Sequence, residues 1–466
     1  MRLVEVALLT ILDVVGSSRP SNIALFGSRL RIFPAPPAPP GAPAGLAGRL
    51  VERARVEWRV RDGGDPAALL EAFLGEHGLP VGDLSGSGRR PTASVDDLSG
   101  YGRRPAASPA VGAAVLVGAA AAARMSGAAA GAVSPAPEVP DLVAVAYDAS
   151  ADAVYGALTR AGGRPPPVPP AAPPAARCAV GTWTLGWTDA EHAAAVRAVR
   201  AQIAAGEVYQ VNVVGHRSAP YRGDPAAALA AVATLPGATY GGLLAGAGYG
   251  GVPGGGGPET GTGPASPGWA VASASPESLV VVAGGVARTR PVKGTRPATA
   301  AGRRALLTSA KERAEHIMIV DLERNDLGRL AVPGTVRVES LFAVREWCGL
   351  WQAESTVAAQ LRPGTGLAAL LRALLPGGSV TGAPKLAAVG LAAALEPVGR
   401  GPSMGALGFV TPDRIELGLT IRTVAAAGGR LHLWAGGGVT WGSDPGAEVA
   451  EAHAKAAPLL RALAGG

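Results

Sequence analysis

The chain has 466 residues, 48% of them hydrophobic and only 4% aromatic, which allows one large or two to three ordinary domains with a sizeable core. Its formal charge of +7 comes without a Lys/Arg block interleaved with aromatics. That argues against nucleic acid as a partner and suits small anionic substrates.

Ala and Gly are abundant everywhere, so their runs carry little information. Met1–Gly16 is apolar but broken by Glu5 and Asp13, which reads as a buried first strand rather than a signal peptide. Ala68–Leu74 reads as helix. A direct repeat follows, Asp83-Leu-Ser-Gly-Ser-Gly-Arg-Arg-Pro and then Asp97-Leu-Ser-Gly-Tyr-Gly-Arg-Arg-Pro. Two polar copies build no solenoid and read as a duplicated surface loop. Residues 111–133 are mostly Ala and Gly and contain Arg124, which excludes a membrane span. The Pro-rich run 164–174 is a stiff linker. It divides the chain into 1–163, a linker at 164–180, and a strongly patterned part at 181–466. Cys178 and Cys348 form no CxxC motif, so neither a zinc site nor a disulfide framework is expected, and a reducing, cytoplasmic setting fits.

Asp189–Ala205 carries Ala, Val and Ile at helical spacing and ends at Gly206. Glu207–Val214 is a β-rich run, and 247–268 is a Gly/Pro/Ser/Thr insertion. Trp269–Ser275 and Ser278–Ala283 are strands on either side of Pro276-Glu277, and a further strand ends at Pro291. Ser309 and Glu312 make a capping box for a helix through Leu327, with Gly328 as its C-cap. Thr335–Leu341 is a strand. The Gly-rich loop 377–385 opens a helix through Leu395. It is no phosphate loop, because Ala383-Pro384 precede Lys385 and Leu386 follows it. Strands are expected at 404–411, 415–425 and 430–439, then a last helix from Asp444-Pro445 to Leu463. Long β runs with irregularly placed helices predict a large α+β domain.

Several residues in this part can carry chemistry. Glu448, Glu451 and Lys455 stand at i, i+3 and i+7 and share one helical face. That face is either a solvated ion-pair surface or, behind the Gly-rich strand end Trp434–Gly438, a binding floor. Glu315 and Glu451, on separate helices, are the oxygen donors a hard cation takes. Arg422, in the apolar run Leu419–Val424, is either a salt-bridged rim residue or a bidentate clamp for a carboxylate. Lys293 is either an ordinary turn lysine or, if desolvated, a nucleophile.

The stretches Gly206–Val213, Ser275–Glu277, Arg290–Pro297, Ala314–Gly328, Pro376–Lys385, Ile421–Thr423, Ala435–Gly438 and Glu448–Lys455 occur in an order that resembles the chorismate-utilising enzymes. These include the anthranilate synthase large subunit, aminodeoxychorismate synthase component I, isochorismate synthase and salicylate synthase. The resemblance covers 181–466 and implies a chorismate-binding, anthranilate synthase-like fold, a central β-sandwich with helices outside. It makes 1–163 a divergent N-terminal domain of the same type. It implies Mg²⁺ on Glu315 and Glu451, with Glu448 close by. Gly294, Thr295, Arg422, Gly436, Gly438 and Lys455 would hold the carboxylates of chorismate, and Glu277 would be the general acid on the departing C4 hydroxyl.

Two positions sort the family. Water-using members place a basic Lys where this chain has Gln210, a substrate-site residue here, so ammonia is the expected nucleophile. Anthranilate synthases usually carry Ala where this chain has Lys293. The Lys form is similar to aminodeoxychorismate synthase, which makes 4-amino-4-deoxychorismate for p-aminobenzoate and folate. Ammonia would come from a separate glutamine amidotransferase subunit, with neither nucleic acid nor membrane involved. The alternatives are anthranilate synthase component I and a non-catalytic chorismate-binding paralogue. The latter is motivated by Gln352 and Ser403, where the family often has His and Tyr.

Overall fold

The structure, a computed structural model, describes residues 23–26, 29–32, 50–86, 110–149, 178–246 and 268–465. Strand sequences with period two place their side chains on alternate faces, and each face meets a different core. In Arg430–Val439, Leu431 and Leu433 enter one core cluster and Trp434 another. In the neighbouring Thr423–Ala427, Val424 and Ala426 join the first cluster, Ala425 and Ala427 the second.

These strands belong to one continuous antiparallel ribbon with a single parallel step. Gln210–Arg222 pairs with Arg430–Val439, with Val211 opposite Val439. The pairing continues through Thr423–Ala427 and Ala270–Ser273 to Gly242–Ala245. Ile23–Phe26 and Arg29–Ile32 carry it on to Leu50–Trp58, Leu142–Ala149 and Gly112–Val117. From there it runs through Ala406–Val410, Arg414–Leu419, Ser278–Ala283 and Val286–Arg290 to Leu350–Gln360. Val292–Pro297 and Arg337–Trp347 both pair with Leu350–Gln360. The main core takes Val214, Val271 and Trp434 from one end of the ribbon and Val115, Val280 and Leu417 from the other. The ribbon therefore folds over as a β-sandwich.

Helices cover it. Leu229 and Val232 of Ala226–Ala233, with Leu459 and Leu463 of Pro445–Ala464, bury Leu243, Leu431 and Leu433 from the outside. Ala310–Gly328 packs on Leu350–Gln360 through a buried stripe that includes His316, Ile319, Val320 and Glu323. The whole is the α+β architecture expected from the sequence, a β-sandwich with helices outside.

Most predicted elements are present, with instructive differences. The strand expected at 415–425 is two strands, Arg414–Leu419 and Thr423–Ala427, broken at Arg422, whose φ is +54°. The helix Ala300–Thr308 was masked by its Ala/Gly composition. It starts where Gly302 N donates to Thr299 Oγ1 at 2.9 Å. The next helix starts at Ala310, and Glu312 N donates to Ser309 Oγ at 3.2 Å. The capping box is only half formed, because the Glu312 carboxylate turns instead to Arg296, 2.8 Å away. Residues 111–133 hold the buried strand Gly112–Val117 and the helix Ala119–Ser126. Among the described residues no helix is long and apolar enough to cross a membrane. The strand expected at 1–16, most of the repeat, the run 164–174 and residues 247–267 lie outside the described residues.

Candidate active site

A cleft open to solvent, enclosing about 100 Å³, forms where the strand ends meet two helices. Glu277, Lys293, Gly294, Thr295, Glu315, Arg422, Gly436, Gly438, Glu448, Glu451 and Lys455 line it. Every expected catalytic, substrate and metal residue is thus gathered there except Gln210. That residue is fully buried one layer back, its amide 2.9 Å from where a Cβ on Gly438 would stand.

Lys293 stands at an irregularity in the pairing with Leu350–Gln360. Gly294 makes the irregularity: its φ is +72°, and a Cβ there would meet Leu306 at 2.6 Å. Lys293 is only partly buried as a residue, yet its ammonium is surrounded by protein. The ammonium donates to the Ser379 carbonyl at 3.2 Å. Burial pushes its pKa below the ordinary lysine value, against the opposing pull of Glu277, Glu315 and Glu451. Glu277 is 4% exposed, and its Oε1 accepts from Val292 N at 3.1 Å. Burial holds its carboxyl above the usual carboxylate range, although Ser379, Lys293 and Arg422 pull it down. Burial thus works against the charged form of both groups.

Arg422 enters the cleft from the strand break. Its guanidinium lies 3.6 Å over the Trp347 ring, and Nη1 is buried with no hydrogen-bond partner among the described residues. Burial lowers its pKa to about 9. A desolvated guanidinium with a free donor is a seat for an anion. Its left-handed backbone sets that direction, which a straight strand would not.

The glycines of Ala435–Gly438 do different work. A Cβ on Gly436 would lie 2.0 Å from the Val213 carbonyl, so this glycine is required by the sheet. A Cβ on Gly438 would meet Gln210 Nε2 at 2.9 Å and Lys293 Nζ at 3.2 Å, so this one keeps the floor open. Both polar atoms of the Gln210 amide lack a partner among the described residues.

On the last helix, Lys455 Nζ is 2.7 Å from Glu451 Oε1 and donates to the Gly436 carbonyl at 3.0 Å. Burial raises the carboxyl of Glu448. Burial works the same way on Glu451, but Lys455, Lys311 and Arg296 outweigh it, and its pKa falls below the ordinary value. Glu315 Oε1 accepts from Thr440 Oγ1 at 2.8 Å. These three carboxylates are hard oxygen donors of the kind Mg²⁺ takes. As the side chains stand, no group of three metal-ligating residues converges among the described residues. Lysines lie between the acids instead. Lys311 Nζ is 3.7 Å from Glu315 and 4.0 Å from Glu448.

Sequence reasoning missed Lys311, Ser379, Asn212 and Met404, which also line the cleft. Lys311 was findable, one helical turn before Glu315. Ser379 holds Lys293 through its carbonyl, a contact that leaves no sequence signal. Of the two departures, Gln352 lines the cleft, whereas Ser403 is fully buried and donates to the Thr420 carbonyl at 3.1 Å. Lys385 pairs with Asp326 at 2.6 Å, which accounts for it without a phosphate.

The sequence profile of chorismate binding enzymes matches residues 145–461. The chain belongs to the chorismate binding enzyme family. Every site residue named above lies within that match. Among relatives of this chorismate binding enzyme, anthranilate synthase component 1 of Streptomyces coelicolor is 38% identical over 288 residues, 60% of this chain and 53% of the relative. Aminodeoxychorismate synthase component 1 of Salmonella typhimurium is 35% identical over 288 residues, 60% of this chain and 59% of the relative. The chain thus spans somewhat more than half the length of these curated relatives. In fold it is similar to anthranilate synthase component I from Streptococcus pneumoniae, with a TM-score of 0.63 at 21% identity, over 88% of this chain and 91% of that one.

Proposed function

We infer that this chain aminates chorismate at C4 with ammonia, giving 4-amino-4-deoxychorismate and water. The observation that carries the reading is Lys293, an ammonium enclosed by protein, lowered in pKa and held in the cleft with the buried acid Glu277. In its neutral form Lys293 adds through Nζ to C2. The ring double bonds shift, and the C4 hydroxyl leaves as water with a proton from Glu277. Ammonia then adds at C4, the double bonds shift back, and Lys293 is expelled as the free amine. Glu277 supports this role because burial keeps it protonated above the ordinary carboxylate range. Arg422 offers Nη1, which has no partner among the described residues, to one substrate carboxylate, and Gly438 leaves room for close approach to the backbone of the floor.

Glu315, Glu451 and Glu448 fit Mg²⁺ in donor chemistry. Bound there, Mg²⁺ supplies a positive centre for the second carboxylate. Gln210, an amide with no basic nitrogen, cannot activate water, which leaves ammonia as nucleophile. The component 1 names of the relatives support a separate amidotransferase subunit as its source, and the product suits p-aminobenzoate and folate synthesis.

The second reading is anthranilate synthase component 1, supported by relatives of that name at similar identity. There ammonia adds at C2 directly, water leaves from C4, and pyruvate is eliminated. Incubation of the purified chain with chorismate, Mg²⁺ and ammonium, followed by mass spectrometry, tests the choice. A product that keeps the enolpyruvyl group supports C4 amination. Anthranilate with pyruvate moves the assignment to the second reading.

A further inference from the structure

We propose that Lys311 is a resident cation that holds the acidic seat of the cleft together in the metal-free chain and must withdraw before a divalent cation binds. The inference rests on the reading of Glu315, Glu448 and Glu451 as that seat.

The geometry begins with two helices. Glu315 lies on Ala310–Gly328, and Glu448 and Glu451 on Pro445–Ala464. Carboxylates facing each other across a partly dry cleft repel. Lys311 Nζ stands between them, 3.7 Å from Glu315 Oε1 and 4.0 Å from Glu448 Oε1. It offsets the negative charge of both helices at once.

Lys455, on the second helix, is fixed in a way Lys311 is not. Lys455 is anchored at 2.7 Å to Glu451 and at 3.0 Å to the Gly436 carbonyl, with its side chain 18% exposed. The Lys311 side chain is 43% exposed, and both its contacts lie beyond hydrogen-bond range. Half-exposed, its ammonium gives up only long-range attraction when it leaves. Lys311 is also one turn before Glu315 on the same helix, so rotation of its own side chain clears the seat without backbone movement.

A divalent cation and this ammonium cannot share the seat, because like charges about 4 Å apart repel strongly at low effective dielectric. Loading therefore exchanges one positive charge for two. Two consequences follow for the free chain: it is spared bare carboxylate repulsion, and its intrinsic metal affinity is lowered by the competition.

The test uses the full chain stripped with EDTA and Mn²⁺ alone as the probe. Binding is read from the free-ion EPR signal and by calorimetry, and melting is followed in EDTA. Lys311→Met is expected to bind Mn²⁺ about tenfold more tightly than the wild type, since ligand charge balance sets affinity. It should also melt lower in EDTA, a deficit that saturating Mn²⁺ removes. Lys311→Arg, which keeps a larger permanent cation, is expected to bind more weakly than the wild type. Equal or weaker binding by Lys311→Met overturns the proposal. Should that variant not fold, equal or tighter binding by Lys311→Arg overturns it. A Glu315→Gln, Glu451→Gln double variant separates the two layers. If it binds like the wild type, the seat is elsewhere and both readings fall. If it loses Mn²⁺ while Lys311→Met is unchanged, only the role of Lys311 falls.

Discussion

Replacing Lys293 with Ala separates a nucleophile from a neighbour. The variant loses the 3.2 Å hydrogen bond from Nζ to the Ser379 carbonyl, worth about 1.5–3 kcal/mol for a charged donor. It is also relieved of an enclosed ammonium, and the two effects oppose each other. The melting temperature should therefore move by less than about 4 °C. The catalytic loss is of another order. A nucleophile held within the site acts with an effective molarity of about 10⁵–10⁸ M. If Nζ attacks C2, formation of 4-amino-4-deoxychorismate should fall by at least about 10³-fold, a conservative share of that advantage. Direct ammonia attack at C2 needs no lysine, so anthranilate formation would change by no more than about tenfold. The assay is initial-rate product analysis by liquid chromatography and mass spectrometry, with chorismate, Mg²⁺ and saturating ammonium. A C4-aminated product made within tenfold of the wild-type rate would refute covalent participation of Lys293.

Glu277→Gln keeps the acceptor for Val292 N but has no proton to give, so turnover should drop about 10²–10⁴-fold with little change in KM. Because burial raises the Glu277 pKa, the working protonated form persists above the ordinary carboxylate range and activity falls as pH rises through the folded value. Steady-state pH profiles should show that limb in the wild type and its absence in the variant. His216, His316 and His432 have pKa values lowered by burial to about 3, 4 and 4. The unfolded chain takes up protons below about 6.5, whereas the folded one resists until 3–4, so stability is complete above 6.5 and lost as pH falls. Each histidine should cost up to about 2 kcal/mol between pH 7.5 and 5, checked by urea midpoints at the two values, with equal midpoints counting against it. Gly438→Ala should fold, because the atoms it crowds are the ends of Gln210 and Lys293, yet lose at least about tenfold in kcat/KM. Gly436→Ala, pressed against the Val213 carbonyl, should fail to give soluble protein.

The sequence carried the candidate site better than the frame that presents it. Charged residues in apolar or glycine-rich contexts, such as Arg422 and Glu448–Lys455, announce themselves because burial of charge needs a reason. Alternation in 430–439 and the Asp444-Pro445 start of the last helix were equally plain. What escaped was carried by the backbone or by distant partners. Nothing local says that the run Leu419–Val424 breaks at Arg422, because the strain is held by packing on Trp347 from another strand. The Glu312 carboxylate satisfies the capping-box pattern in sequence but is claimed by Arg296, a contact between separate elements. Ala300–Thr308 was hidden by the composition that made Ala runs uninformative throughout. Gly436 and Gly438 look alike in sequence, and only the strand opposite assigns one to the sheet and the other to the cleft.

The pairing of Ala406–Val410 with Gly112–Val117 bears on how the protein is made. The earlier strand leaves the ribosome long before its partner exists. At about 5–20 residues per second the wait is roughly 15 to 60 s, during which one apolar edge of Gly112–Val117 has no native neighbour. Cells that shield nascent chains over that interval should give far more soluble protein than a cell-free system without chaperones. The same pairing forbids a shortcut. A fragment begun at residue 178 would keep every cleft residue yet leave the edge Ala-Leu-Gly-Phe-Val open, a template for pairing with another copy of itself.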